Sequence, residues 1–529
     1  ILNGTSGADT FDVTDANALT SAGIDFTGVN TVNAGTGTDI NDDENTDRVN
    51  TNGSNAVLSG SANANAATVE SILFGDIQIL DLNNTSGTNG TLTGASGSDT
   101  FTIAGTALSA NGIDIQNVEG NEINAGGGLD TFAGDAAGWS LTGVDGELTD
   151  TTSGTYTFNS VDEAVLSQGI LNGTSGADTF DVTGANALTS AGIDFSNVAS
   201  VNAGIGADQV NTNGATLSSS RGGAVANANA FVTQQITFAS VENLDLAGGT
   251  LAGSDAIDSF EVTGTALTAN AISVTNAASV IDAGDGADIL TVNDNNSTLT
   301  GTDNELDTAN YAFSSVETVD LADNALTGTA NADTFDVTGA NSLTSAGINF
   351  SNVAAVNADD GVDQVNTDGA DASLFAELGS AVDYALETLG ITFRETENAN
   401  LNGGTLAGSS EADNFEVTGD ALTANAMTIT NAASAIDAGT GDDAVTVNDA
   451  NSTLTGADNA LNTANYQFTS IDSTDLTDSV LTGTSGADTF DVTGANALTS
   501  ADIDFTNVSS VDAGNGADQV NTNGATLTS

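Results

Sequence analysis

Fourteen aspartates recur in two short, glycine-containing motifs, and they are the residues of this chain best suited to bind a metal ion. The first motif, GTSGADTF, places Asp178 two residues before Phe180, and the second, AGDGAD, ends on Asp288. Carboxylates are hard oxygen ligands, and glycine lets a turn expose its carbonyl oxygens, so both motifs fit the chemistry of Ca²⁺. The first-motif aspartates are Asp9, Asp99, Asp178, Asp258, Asp333, Asp413 and Asp488, and the second-motif aspartates are Asp39, Asp130, Asp208, Asp288, Asp363, Asp443 and Asp518.

Two interpretations of these aspartates remain open at the level of sequence. Ca²⁺ needs about six to eight oxygens, so a single turn cannot complete a site and a neighbouring turn would have to contribute. Alternatively, each aspartate closes an Asx-type turn, with its carboxylate accepting backbone N–H groups and no metal bound.

The spacing of the motifs indicates a regular array. From Asp178 onward, successive first-motif aspartates lie 80, 75, 80 and 75 residues apart, so two kinds of unit alternate in a super-repeat of 155 residues. The second-motif aspartate follows the first by 30 residues in six units and by 31 in one, which indicates that both motifs belong to one rigid unit. The repeat units are 1–90, 91–169, 170–249, 250–325, 326–404, 405–480 and a partial 481–529, in one continuous array.

The residues after each first-motif aspartate alternate between apolar and polar. A phenylalanine stands two residues after the aspartate and a β-branched residue two further on, as in Phe180 and Val182, which predicts a strand with one buried face. Proline is absent, so nothing interrupts a backbone ladder. We therefore predict an all-β fold, a repetitive parallel β-solenoid (β-helix or β-roll) forming a rod; the alternative is a string of β-sandwich domains of 75–80 residues. The phenylalanines predicted to lie in its core are Phe11, Phe101, Phe180, Phe260, Phe335, Phe415 and Phe490.

Two insertions interrupt alternate units. Residues 215–235 are small and polar, whereas residues 370–390 place apolar residues at near-helical spacing, namely Leu374, Leu378, Val382, Leu386 and Leu389. The second insertion predicts a short amphipathic helix that caps the local core or docks a neighbouring molecule.

Composition excludes several classes of function. Three basic residues stand against 72 acidic ones, a formal net charge of -69, so we expect cations as partners, no nucleic acid and no membrane insertion. Histidine, cysteine and lysine are absent, which excludes a Ser-His-Asp triad, a zinc site of the common kind and Schiff-base chemistry. Arg48, Arg221 and Arg394 are expected to form local ion pairs.

The second motif resembles the glycine-rich nonapeptide of the RTX, or haemolysin-type, calcium-binding proteins. The segment from Gly284 to Leu290 fits the pattern G-G-x-G-x-D-x-U-x from its second place onward, and the segment from Gly173 to Phe180 fits at four places. The motifs here stand singly instead of consecutively, and glycine is replaced at Ala256, Asn331, Asp359 and Glu411. The resemblance implies bound calcium, with the fourteen aspartates as ligands, and a bacterial protein that is secreted, extracellular or on the cell surface.

These observations favour a structural role. We expect a non-enzymatic, calcium-stabilised repeat region of a surface-layer or filament subunit that associates with itself laterally or end to end, with cell-surface polysaccharide as a further partner. The stalk of a large adhesin is the alternative. A carbohydrate-active β-helix enzyme is a more distant one, since an active site is usually unique whereas every acidic motif here recurs. The absence of a signal-like segment at Ile1 and the end at Ser529 within a repeat suggest part of a longer mature protein.

Overall fold

The computed structural model describes residues 1–529 apart from 36–45, 60–64, 86, 135–137, 151–155, 220–228, 294–296, 378–379, 449–450, 478 and 525–529. The described residues form β-strands, turns and one 3-10 turn, Glu119–Asn121. No helix among them is long and apolar enough to cross a membrane. The predicted all-β class is confirmed.

The chain divides into two compact units, one of Ile1–Asp255 with Ala266–Ala278 and one of Ala256–Thr265 with Ser279–Ser529. In each unit the chain passes back and forth between two strand layers that pack against each other. We call the layer whose strands follow the motif aspartates the front face and the opposite layer the back face.

The strands of the first compact unit are short. On the front face they are Thr10–Asp15, Ala18–Ser21, Ile24–Thr27, Arg48–Asn50, Ile79–Asp81, Thr100–Ala104, Ala107–Ala110, Ile113–Gln116, Thr131–Gly134, Thr179–Gly184, Ala187–Ser190, Gln209–Asn211, Asn243–Asp245, Ala266–Ala269 and Ile272–Thr275. On the back face they are Leu2–Asn3, Thr31–Asn33, Ala56–Leu58, Ala67–Val69, Ile72–Gly75, Leu92–Thr93, Glu122–Asn124, Gly138–Leu141, Leu148–Asp150, Thr157–Asn159, Leu217–Ser219, Phe231–Thr233, Ile236–Ala239 and Leu251–Ala252. Glu163–Asn172 and Ile193–Asn202 contribute to both faces.

The second compact unit has the same organisation. Its front-face strands are Ser259–Thr263, Ile289–Val292, Thr334–Gly339, Ser342–Ser345, Gln364–Asn366, Asn398–Asn400, Asn414–Thr418, Ala421–Ala424, Met427–Thr430, Ala444–Val447, Ser473–Asp475, Thr489–Gly494, Ala497–Ser500, Ile503–Thr506 and Gln519–Asn521. Its back-face strands are Val280–Asp282, Ser297–Leu299, Leu306–Thr308, Ala312–Ser314, Ala372–Glu377, Ser380–Thr388, Ile391–Arg394, Leu406–Ala407, Ala435–Asp437, Asn451–Leu454, Leu461–Asn462, Gln467–Thr469, Val480–Thr482 and Ser510–Asp512. Thr318–Thr327 and Ile348–Asn357 contribute to both.

Parallel pairing between successive turns defines the architecture. In the first compact unit Phe180 pairs with Val210, which pairs with Leu244. In the second, Phe335 pairs with Val365 in the same way. A continuous ladder of this kind is a β-solenoid, as predicted, and not a string of separate sandwiches.

Antiparallel meanders interrupt the parallel ladder, and the sequence analysis does not predict them. Thr179–Gly184 pairs antiparallel with Ala187–Ser190, which pairs antiparallel with Ile193–Asn202. The outer two strands of this meander then pair in parallel with Gln209–Asn211 on one side and Glu163–Asn172 on the other. The first tight turn holds Asn186 at φ 54°, a left-handed conformation that asparagine tolerates better than most residues.

In each of the six complete repeat units the motif phenylalanine of the front face lies near a phenylalanine of the back face. Phe180 of the front face lies 6.3 Å from Phe238 of the back face between ring centroids, and Phe260 lies 5.7 Å from Phe313. All seven motif phenylalanines are at most 2% exposed, so the prediction that they lie in the core is confirmed. The pairs hold the two faces together.

The amphipathic helix predicted for residues 370–390 is wrong. Ala372–Glu377 and Ser380–Thr388 form an antiparallel hairpin that joins the back face, with Leu374 opposite Leu386 and Leu386 opposite Phe393. Partner strands on both sides of the hairpin offer cross-strand contacts, and these override the helical spacing of the leucines. The side chains of Leu378 and Val382 lie outside the described residues.

We predict that Phe260→Ala lowers the free energy of unfolding by about 3–5 kcal/mol, because it removes a buried ring and leaves a cavity beside Phe313. Val280→Ala is the matched control, because Val280 lies in the same compact unit but is 60% exposed and should change stability by about 0.5 kcal/mol or less. Urea denaturation followed by circular dichroism measures both, and equal losses would contradict the assigned core.

Candidate functional site

The motif aspartates stand at the same place in successive layers of the front face. Asp178 directly precedes the strand Thr179–Gly184 and Asp208 directly precedes Gln209–Asn211. Because these strands pair in parallel with Thr179 opposite Gln209, the 30-residue spacing brings the two aspartates into adjacent layers. The constant spacing therefore has a structural cause.

The first-motif aspartates close turns on the preceding chain. In six units the Oδ2 atom accepts a hydrogen bond of 2.5–2.7 Å from the backbone N–H four residues earlier. These donors are Thr5, Ala95, Thr174, Thr329, Ser409 and Thr484.

The two kinds of repeat unit differ in how they hold this aspartate. In one kind, Asp413 is fully buried and its Oδ1 accepts a second hydrogen bond, of 2.6 Å, from Asn425 Nδ2. In the other kind, Asp178 is half-buried, Thr174 Oγ1 lies 3.0 Å from its Oδ2, and the position of the asparagine is taken by Ser190. Ser190 Oγ donates instead to the Thr179 carbonyl oxygen. The two alternating kinds of repeat unit therefore supply hydrogen-bond donors to the equivalent carboxylate from different side chains.

The second-motif aspartate receives the backbone of the first. The N–H of each first aspartate donates to Oδ1 of an aspartate one layer on, at 2.7–3.1 Å. The acceptors are Asp47, Asp130, Asp208, Asp288, Asp363, Asp443 and Asp518, and all but Asp518 are at most 1% exposed. These carboxylates therefore link neighbouring layers through hydrogen bonds.

In the first repeat unit the acceptor is Asp47 and not the predicted Asp39, which lies outside the described residues. Asp47 begins the tetrapeptide Asp-Arg-Val-Asn, which matches the Asp-Gln-Val-Asn that begins at Asp208. That tetrapeptide is the signal that identifies the acceptor, and an insertion between Asp9 and Asp47 lengthens the spacing to 38 residues.

A third acceptor, which the sequence analysis missed, continues six of the seven described stacks. The N–H of the second aspartate donates at 2.7–3.0 Å to a side-chain oxygen of the next layer, as from Asp208 to Glu242 Oε2. Each third acceptor follows a buried back-face phenylalanine by four residues, and that spacing is the sequence signal for it. The third acceptors are Gln78, Asp162, Glu242, Glu317, Glu397 and Asp472.

The other carboxylate oxygen of the second aspartate has no hydrogen-bond partner. In the six buried cases Oδ2 is inaccessible to solvent and unpaired, in Asp47, Asp130, Asp208, Asp288, Asp363 and Asp443. Burial raises the pKa of all six carboxyls, the N–H donated by the first aspartate lowers it in part, and neighbouring carboxylates raise it further. The pKa of Asp288, Asp363 and Asp443 rises to about 6.

The two basic side chains that the structure describes contact groups other than the buried aspartates. Arg48 Nη1 is 2.7 Å from Asp81 Oδ2, which confirms the ion pair expected for Arg48. The guanidinium of Arg394 lies over the Phe375 ring at 4.4 Å, and Arg221 is outside the described residues. Among the charged groups that act on Asp288, Asp363 and Asp443 in the described chain, none is basic.

The motif aspartates that the structure describes do not fit a calcium site. Their oxygens accept backbone N–H groups or are enclosed without a second ligand, whereas Ca²⁺ needs about six to eight oxygens directed at one point. Within the described residues, no three Asp or Glu side chains converge as a metal site requires. The first-motif hydrogen bonds are local, as the turn interpretation expects, whereas the second-motif carboxylates accept N–H groups of the adjacent layer. Calcium binding by the fourteen aspartates stays a prediction from the sequence.

The motif glycines allow the stacked turns to touch through their backbones. A Cβ on Gly173 would lie 2.0 Å from the Ala203 carbonyl oxygen and 2.9 Å from Asp178 Oδ2. Gly204, at φ 107°, faces the Thr174 carbonyl oxygen in the same way. Glycine is therefore needed here because the layers approach closely, and the carbonyl oxygens face the backbone of the adjacent layer.

Comparison with known proteins found no match to any protein-family model and no match among curated proteins.

We predict that Gly173→Ala lowers the free energy of unfolding by about 1–3 kcal/mol, because the added methyl group must displace the Ala203 carbonyl. Gly184→Ala is the matched control, since a Cβ there meets open space, and it should be neutral or stabilise by up to about 1 kcal/mol. Urea denaturation of the full chain measures both variants. A stability loss at Gly184 as large as that at Gly173 would show that close stacking is not the reason for the motif glycine.

Proposed function

We propose that this chain is the structural repeat region of a secreted bacterial cell-surface or extracellular-matrix protein, a surface-layer or filament subunit. The proposal is supported by what the motif carboxylates bind, which is the backbone of the solenoid itself. Asp178, Asp208 and Glu242 bind backbone groups of their own or an adjacent layer, and the same arrangement recurs along the described chain. Residues that would serve catalysis or ligand binding in an enzyme serve the assembly of the solenoid here.

The surface favours contacts with polyhydroxy compounds and other copies more than with polyanions. A cleft of about 380 Å³ on the front face of the first compact unit and a cleft of about 350 Å³ in the second are lined by equivalent asparagine and aspartate positions. Asn and Asp side chains offer the donors and acceptors that sugar hydroxyl groups need. Cell-surface polysaccharide is accordingly the second partner in the proposal. The matched lining residues are Asp12, Asn50, Asn52 and Asp81 in one cleft and Asp336, Asn366, Asp368 and Asn400 in the other.

Self-association tests the proposed function directly. We expect the purified chain to form ordered assemblies in calcium-containing buffer, detected by sedimentation velocity and electron microscopy, because divalent cations relieve the repulsion between molecules of net charge -69. Sodium chloride at equal ionic strength is the control for screening alone. A chain that stays monomeric at every concentration in both buffers would contradict the assembly role.

We also propose that calcium stabilises the fold. Exposed carboxylates, and not the motif turns, would bind it. We expect calcium to raise the melting temperature by more than sodium chloride at equal ionic strength, and chelator to reverse the gain. The gain should persist in Asp288→Asn and Asp443→Asn, which keep the Oδ1 acceptor and replace the unpaired Oδ2 by an amide nitrogen. Loss of the gain in these two variants would instead place calcium at the motif aspartates.

A further inference from the structure

The misfit between the buried aspartates and calcium leaves their charge without a counter-ion. Asp288 is fully buried, its Oδ1 accepts the Asp258 N–H at 2.7 Å, and its Oδ2 has no partner. An ionised carboxylate in such a place would leave a charged oxygen without solvent or a hydrogen-bond donor, which is energetically unfavourable. Asp363 and Asp443 repeat the arrangement in the same compact unit.

The neighbours of these aspartates make an ionised state less favourable still. Asp288 lies between Asp258 in the layer before and Glu317 in the layer after, and both are linked to it through its own hydrogen bonds. Within the part of the chain that the structure describes, every charged group that acts on the three aspartates is acidic. These groups are Asp258, Glu317 and Asp282 for Asp288; Asp333, Glu397 and Asp359 for Asp363; and Asp413, Asp472 and Asp442 for Asp443.

We propose that Asp288, Asp363 and Asp443 take up a proton in the folded solenoid under mildly acidic conditions and become neutral carboxylic acids, so that the packing of its layers is coupled to pH. The proton resides on Oδ2, the oxygen that accepts no N–H, while Oδ1 continues to hold the N–H of the adjacent layer. One neutral group in the middle of each stack then separates the acidic groups above and below it.

The direction of the coupling follows from the pKa of these groups. The folded chain binds the proton at a pKa of about 6 at Asp288, Asp363 and Asp443, compared with an ordinary value of 3.8. A proton held more tightly in the folded state stabilises that state fully below the ordinary pKa, and this stabilisation is lost as the pH rises through about 6. The folded solenoid should therefore be more stable in mild acid than at neutral pH.

The test compares the full chain with a triple variant, Asp288→Asn, Asp363→Asn and Asp443→Asn, in chelator-containing buffer. Asparagine keeps the Oδ1 acceptor and is neutral at every pH, so it imitates the protonated acid. Between pH about 5 and about 7.5, above the sequence pI of ≈ 4.1, the melting temperature of the unmodified chain should fall. That of the triple variant should fall much less.

Exposed carboxylates also change charge with pH, so a control variant that removes only exposed carboxylates is needed. Asp307→Asn, Asp323→Asn and Asp458→Asn remove three exposed carboxylates from the same compact unit and should leave the pH dependence nearly unchanged. Infrared difference spectra should show protonated carboxyl groups in the unmodified chain at pH about 5, with reduced intensity in the buried-site variant but not in the control. The proposal is overturned by equal pH dependence in both triple variants, or by a melting temperature of the unmodified chain that rises with pH across this range.

Discussion

The hydrogen bond from the N–H of one motif aspartate to the carboxylate of the aspartate one layer on is the interaction on which the rest of the structure depends. Its acceptor is buried, as in the 2.8 Å bond from Asp178 to Asp208, and it joins residues 30 positions apart, so it forms only when two turns stack in one register. That register places Phe180 beside Val210 in the core and presses Gly173 against the Ala203 carbonyl. The strand pairing, the apolar column and the need for glycine all follow from it.

This arrangement concentrates acidic groups along one edge of the front face in a chain that has almost no basic residues. The first aspartate is supplied with N–H donors, and the third acid, such as Glu242, is half-buried and reaches solvent. The middle aspartate has one donor and no access to solvent. A negative charge is therefore least favourable on the middle aspartate of each stack, and binding a proton is the simplest way to remove that charge.

The alternation of two unit types shows that one structural need can be met by different residues. Where Asn425 reaches Asp413, the aspartate is fully buried; where Thr174 reaches Asp178, it is half-buried and Ser190 binds a backbone carbonyl instead. The backbone donor four residues before the aspartate is the same in both. The 155-residue super-repeat therefore reflects a change in side-chain donors around an unchanged turn.

The sequence by itself determined the strand class, the buried phenylalanines and the pairing of the two motifs, because period-two alternation and a fixed 30-residue spacing are local or strictly periodic signals. Tertiary structure decided the rest. The residues of the hairpin Ala372–Thr388 have helical spacing but are held as strands by the neighbours on either side, and the antiparallel meanders depend on which layer each strand can reach. Asp47 and the third acceptors carry recognisable sequence signals, but their role as acceptors depends on the stacking of the turns. The role of a second-motif carboxylate is set by the backbone N–H group that the adjacent layer brings to it, and that group lies about 30 residues away in the sequence.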